Sequence, residues 1–218
     1  KGVKIPAADL FTYDNKFVLE GDALTTGAHR LEIRKQGRGP VYYNAYVTYF
    51  TKEDFITATG LEVKVERKYY QLIPEDADIK TSGSEGQVVD QRVEKYQRQE
   101  ITRETILKSG DLVEVELIFD SKNDYEYLVF EDFRAAGLEP VELRSGYSYN
   151  GLRNYQEFRD DRVVFYIRQL PRGKHSLNYR LRAEIPGKFS GLPTTGEGMY
   201  APELKANSDE MKLQIIDK

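Results

Sequence analysis

Val113-Glu114-Val115-Glu116-Leu117-Ile118-Phe119 places Val113, Val115, Leu117 and Phe119 on one phase and Glu114 and Glu116 on the other. Successive side chains of a strand point to opposite faces, so this stretch reads as a strand with one apolar and one wet face. The same alternation appears upstream, where Leu61, Val63 and Val65 are interleaved with Glu62, Lys64 and Glu66. It returns downstream in Val163, Phe165 and Ile167, and in Leu177, Tyr179, Leu181, Ala183 and Ile185. Leu213 and Ile215 make a short last strand. Strands with one wet face belong to antiparallel sheets, and such sheets bury their apolar faces against each other as sandwiches.

Turn residues separate these runs: Gly37-Arg38-Gly39-Pro40, Ser109-Gly110-Asp111, Ser121-Lys122-Asn123-Asp124 and Pro171-Arg172-Gly173. Tyr42 to Phe50 is a denser aromatic run that reads as buried on both faces. Residues 74–99 are different. They are polar, of mixed charge, and contain Ser82-Gly83-Ser84-Glu85-Gly86, so they read as an insertion or linker with one short helix through Val89, Val93 and Tyr96. An internal similarity links the two ends of the chain. Leu24, Gly27, His29, Leu31, Ile33 and Arg34 recur at a constant offset as Leu170, Gly173, His175, Leu177, Tyr179 and Arg180, which suggests two β-modules.

The composition agrees with sheet and removes several kinds of function. With 16 Tyr, 10 Phe and no Trp, the aromatic usage suits half-buried pleated surfaces. A formal charge of −4 gives no electrostatic footprint for nucleic acid. The absence of cysteine rules out disulfides, thiolate metal sites and a cysteine nucleophile together. No apolar run approaches the roughly 20 residues that a membrane-spanning helix needs. The sequence begins Lys1-Gly2 with neither methionine nor a signal-like stretch, and reads as a processed product or a piece of something longer.

Residues with catalytic potential do not assemble into a recognisable motif. His29 and His175 lie at equivalent places in the two modules rather than at metal-ligand spacing, and each reads as capping a turn and entering a strand. Neither is accompanied by a Gly-x-Ser-x-Gly elbow. Glu114 with Glu116, Glu131 with Asp132, and Asp160 with Asp161 are adjacent carboxylates, more simply read as solvated strand faces than as a glycosidase pair. The Asp120 to Asp124 turn lacks the glycine and distal glutamate of a calcium loop. The sequence therefore points to a non-enzyme, with no catalytic residue, metal or cofactor. Met199-Tyr200 is the exception that asks for an explanation: two large apolar side chains between Gly198 and Pro202 in a Gly- and Pro-rich segment. They either fold back to cap the core or project as a plug for a partner surface.

Ala136-Gly137-Leu138-Glu139-Pro140, Leu143-Arg144-Ser145-Gly146-Tyr147, Arg159-Asp160-Asp161-Arg162 and Leu170-Pro171-Arg172-Gly173-Lys174-His175 resemble the last macroglobulin-like domain of bacterial α2-macroglobulins. So do Tyr179-Arg180-Leu181-Arg182-Ala183, Leu192-Pro193, Met199-Tyr200-Ala201-Pro202-Glu203 and Ala206-Asn207-Ser208-Asp209. Residues from Asn15 to Phe50 resemble, more loosely, the returning half of a CUB-type β-domain. The resemblance implies an endopeptidase trap at a periplasmic or cell-surface location, acting on proteases through its full-length parent. With no cysteine, this chain would lack the thioester that captures the attacker. It would be a carboxy-terminal part whose partner is the thioester domain of the same polypeptide. On this resemblance Met199 and Tyr200 lie on a loop that covers the thioester and keeps water from it.

The expected fold class is thus all-β: an antiparallel immunoglobulin- or fibronectin-like sandwich over residues 60–218, with an additional N-terminal module, a partial CUB-like unit, over residues 1–59. The alternative function is a carbohydrate- or protein-binding sandwich module of a surface protein. A planar row of exposed tyrosine rings on one sheet face would favour sugar binding.

Overall fold

The computed structural model describes residues 16–24, 27–40, 42, 43, 45, 47, 55–75, 78–82, 88–92, 95–149 and 151–218. The chain divides into two units, Lys1–Ala45 and Tyr46–Lys218. In the first, the described residues carry no strand, and a single 3-10 turn at Gly21–Ala23 is their one regular element. The strand expected to enter at His29 is not formed, and Leu31 and Ile33 are exposed. Of the aromatic run from Tyr42 to Phe50, the described Tyr42, Tyr43 and Val47 are exposed rather than buried, because no strand among the described residues faces them; residues 44, 46 and 48–50 lie outside the described residues.

The second unit holds all the strands among the described residues. In chain order they begin β1 Thr59–Gly60, β2 Val63–Glu75, β3 Asp78–Ser82, β4 Val88–Arg92, β5 Lys95–Glu100 and β6 Ile106–Lys108. They continue with β7 Leu112–Ser121, β8 Tyr125–Phe133, β9 Leu138–Pro140, β10 Gly146–Ser148, β11 Asn154–Phe158 and β12 Arg162–Leu170. The last five are β13 Gly173–Ala183, β14 Gly187–Gly191, β15 Thr195–Gly198, β16 Ala201–Asn207 and β17 Met211–Ile216. A seven-stranded sheet runs β1-β16-β15-β8-β12-β11-β10, and a five-stranded sheet runs β5-β2-β7-β13-β9. A small sheet, β14-β17-β6, contains the one parallel pair among the described strands, β17 with β6.

The alternation read from sequence is observed within the strands, whereas Leu61 and Ile185, expected on the apolar phase, lie just outside β2 and β13 and are exposed. Val113, Val115, Leu117 and Phe119 of β7 are fully buried, as are Leu181 of β13 and Val163 and Phe165 of β12. The two large sheets meet through these faces. Phe119 of β7 and Phe130 of β8 lie with ring centroids 4.4 Å apart, and Phe165 of β12 and Tyr179 of β13 at 5.6 Å. Their tilted geometries are those that aromatic quadrupoles favour.

Residues 78–100 form no helix among the described residues. β3 and β4 pair as a hairpin, and β5 pairs with the outer end of β2 from Tyr70–Glu100 to Glu75–Lys95. The expected helix through Val89, Val93 and Tyr96 gives way to strands at Val89 and Tyr96; Val93 lies outside the described residues. The unpaired edge of β2 offers backbone partners that outweigh a weak local helical preference.

One buried polar centre interrupts the apolar core. Arg67 of β2 and Asp132 of β8 sit on the inward phase of their strands and are 1% and 0% exposed, with Nη1 2.6 Å from Oδ1. Asp132 also accepts from the Tyr179 hydroxyl at 2.5 Å and the Thr194 hydroxyl at 2.8 Å. Arg67 donates onward to the Gly191 carbonyl at 2.8 Å. Burial opposes the charge of Arg67, yet nearby Tyr69 and Asp132 hold its pKa above the usual arginine value. Burial, then the Asp132 carboxylate, pushes the Tyr179 phenol well above its ordinary pKa.

Removing one partner of such a pair leaves an uncompensated buried charge, so Arg67→Met or Asp132→Ala should each cost about 3–5 kcal/mol in urea unfolding. The double variant Arg67→Met with Asp132→Leu should cost less than either single change. A second expectation concerns acid. Burial alone would raise the Glu210 pKa, but hydrogen bonds from Ser190, Lys212 and the Ile56 amide hold it below the usual glutamate value. Its stabilising contribution is full above the unfolded pKa and fades as pH falls through the lowered folded value. Glu210→Gln should therefore flatten the acid limb of a stability-against-pH profile.

Candidate functional site

Met199 and Tyr200 occupy the tip of the β15–β16 hairpin. Glu197 pairs with Lys205, but the next pair is Gly198 with Ala201, so the register shifts and β16 bulges beside the tip. Among the described residues the one non-glycine residue with positive φ lies elsewhere, so neither tip residue adopts the left-handed backbone of the favoured two-residue hairpin turns. A bulge takes up the resulting mismatch with strand twist. On the other side, Gly196 lies where a Cβ would stand 2.3 Å from the Phe130 ring, so β15 packs closely over the core.

The two side chains do not fold back. Met199 is 45% exposed and Tyr200 81%. The hairpin is nevertheless held at both ends. At its base, the Thr194 amide donates to Ser208 Oγ at 2.9 Å, and the Ser208 amide returns to the Thr194 carbonyl at 2.9 Å. Thr194 also reaches Asp132, which ties the base to the buried ion pair. At the tip, the Met199 amide donates to the Tyr127 carbonyl at 2.8 Å, and the Tyr127 and Tyr200 rings meet edge-on at 5.5 Å. Tyr127 has φ 56°, a conformation that costs a bulky residue on the order of 1–3 kcal/mol.

The other candidate residues are taken up by structure. Glu114 and Glu116 face Arg98, each at 3.0 Å, on the outer face of the five-stranded sheet. Asp132 is inside the sandwich, whereas Glu131 pairs with Arg162 on the outside at 3.1 Å. Asp161 pairs with Arg162 at 2.7 Å, and the Asp160 carbonyl accepts from Arg134. His175 is the third residue of β13, and its Nε2 is 2.9 Å from the Pro171 carbonyl in the preceding turn, in keeping with the cap reading. His29 is exposed and lies in no strand. Asp124 closes the neighbouring hairpins by accepting from the Arg172 amide at 2.7 Å. Among the described residues no three His, Asp or Glu side chains converge as metal ligands.

Two exposed tyrosines and a partly buried one do form a row. Tyr147, Tyr155 and Tyr166 stand opposite one another across β10, β11 and β12. Their rings are inclined at 78° and 52° rather than coplanar, so they do not offer the flat platform that stacking on a sugar requires.

The chain matches a family model, curated relatives and solved structures. Residues 63–203 match the bacterial alpha-2-macroglobulin MG10 domain. An alpha-2-macroglobulin homolog of Nostoc is 31% identical over 112 residues, which are 48% of this chain and 6% of that protein. A circularly permutated Ras protein 2 of Dictyostelium discoideum is 23% identical over 188 residues, 85% of this chain and 4% of that one. The crystal structure of trypsin-activated alpha-2-macroglobulin from Escherichia coli shares the fold, with a TM-score of 0.50 and 21% identity over 73% of this chain and 11% of that one. This chain therefore spans only a small part of the length of these relatives.

Because Met199 and Tyr200 stand exposed at the tip, outside the buried core, their replacement should leave stability almost unchanged. Met199→Ser with Tyr200→Ser should shift the unfolding free energy by less than about 1 kcal/mol. Gly196→Ala, which drives a methyl into the Phe130 ring, should cost about 1–3 kcal/mol in the same assay.

Proposed function

The chain belongs to the bacterial alpha-2-macroglobulin family through its MG10 domain, and from that premise we propose that it is a structural, non-catalytic part of an endopeptidase trap. In this reading the β15–β16 tip docks on the thioester domain of the same polypeptide and shields its thioester from water. The carrying observation is the tip: two large apolar side chains, exposed, on a hairpin braced at base and point. A side chain of this size gains about 1.5–3 kcal/mol when buried against a partner. Methionine adapts to irregular apolar surfaces, and tyrosine adds a hydroxyl that can be satisfied at the buried end. Both properties suit a removable lid, because excluding water protects a bond that water would otherwise hydrolyse.

The trap reading draws support from the E. coli relative, which is described as trypsin-activated. Proteases are accordingly partners of the full-length parent rather than of this chain alone. An extracytoplasmic setting, periplasmic or at the cell surface, goes with that role. Among the described residues no helix is long and apolar enough to cross a membrane. Residues 1–59 act, in this reading, as the returning half of a CUB-type module completed by strands from elsewhere in the polypeptide. The exposure of Phe17, Val18, Leu19, Leu31, Tyr42 and Tyr43 supports it, since apolar side chains in such number call for a cover.

The test uses the longer natural polypeptide that carries the thioester domain. Met199→Gly with Tyr200→Gly should raise the rate at which methylamine consumes the thioester, with the fold of the MG10 domain intact by circular dichroism. Equal rates in the variant and the parent protein would sink the shielding role.

A further inference from the structure

We propose that Tyr127 is the positioning residue of the Met199-Tyr200 tip, fixing from the neighbouring strand the direction in which the tip is presented. Its purpose rests on the shielding role above, but its geometry does not. In the β8–β12 register Ile167 pairs with Leu128 and Gln169 with Glu126, so Tyr127 falls at a skipped position in mid-strand. With φ 56° it leaves strand geometry there, the one non-glycine residue among those described to do so. Its carbonyl accepts from the Met199 amide, one step beyond the last β15–β8 pair, Gly198 with Leu128. Its ring meets Tyr200 edge-on at an interplanar angle of 78°.

Glycine would satisfy this backbone without strain. What tyrosine adds at position 127 is a ring, and that ring faces Tyr200. A strained residue persists where its surroundings over-determine it, and such residues gather at functional points. An exposed tyrosine ordinarily samples its rotamers within nanoseconds. Held by Tyr127, Tyr200 enters a docking event with less side-chain freedom to lose, and that saving tightens the lid.

The experiment compares Tyr127→Gly, which keeps the backbone and removes the ring, with Tyr127→Phe, which keeps the ring. Tyr200 rotamer order and ring-current shifts are read by NMR on the full chain, with Val115 and Phe165 resonances reporting an intact core. The expected result is loss of the single Tyr200 rotamer in Tyr127→Gly and its retention in Tyr127→Phe. An unchanged Tyr200 rotamer in Tyr127→Gly would overturn the assignment, and so would equal disorder in both variants. In the longer polypeptide, Tyr127→Gly should also raise methylamine consumption while Tyr127→Phe does not. If Tyr200 loosens as expected but neither Tyr127→Gly nor the Met199→Gly with Tyr200→Gly variant alters methylamine consumption, the positioning role stands and the shielding role fails.

Discussion

The contact between Arg67 and Asp132 joins the two sheets of the sandwich, and the base of the β15–β16 hairpin hangs from it. Arg67 comes from β2 of the five-stranded sheet and Asp132 from β8 of the seven-stranded one, so the pair crosses the core. Two buried charges are costly to desolvate, and they are tolerated only where hydrogen bonds satisfy the remaining lone pairs and protons. Arg67 Nε is left without a hydrogen-bond partner among the described residues, and the groups that do satisfy the pair include Tyr179, Thr194 and the Gly191 carbonyl. The last two belong to the segment that leads into β15. The requirement to satisfy a buried carboxylate and guanidinium thus fixes where the hairpin begins.

The hairpin is consequently a rigid base with a presented tip. Thr194 and Ser208 clasp the entry and exit of β15 and β16. Gly196 allows the first strand to lie on Phe130, and the bulge beside Gly198 turns the chain so that Met199 and Tyr200 stand clear of the core. Stability and presentation are divided between different residues. The buried centre and the Phe130 contact lie in the core, whereas the tip residues stand exposed outside it.

Much of this was legible in the sequence, for a physical reason. Alternation with a period of two is a property of each strand by itself, so the core positions of β7, β12 and β13 could be read without knowing their neighbours. The turn residues and the His175 cap are equally local. The ion pair was legible but overlooked: Arg67 follows Val63 and Val65 on the inward phase, and Asp132 is on the phase that Phe130 occupies. A charge on an inward phase is the signal, and reading Asp132 with Glu131 as an adjacent carboxylate pair hid it. The short helix expected through Val89, Val93 and Tyr96 gives way to strand at Val89 and Tyr96 because the partners, β3 for Val89 and the edge of β2 for Tyr96, are set by pairing and not by the segment's own pattern.

The sequence by itself determined that the chain would be an all-β sandwich without thiol chemistry, and it singled out Met199-Tyr200 as two apolar residues in an unexpected place. Only the tertiary structure decided that they project instead of capping the core. That outcome depends on a register shift between β15 and β16, on the left-handed backbone of Tyr127, and on a buried charge pair 65 residues apart in sequence. Each is a relation between strands distant along the chain, and no local pattern records which strand lies beside which.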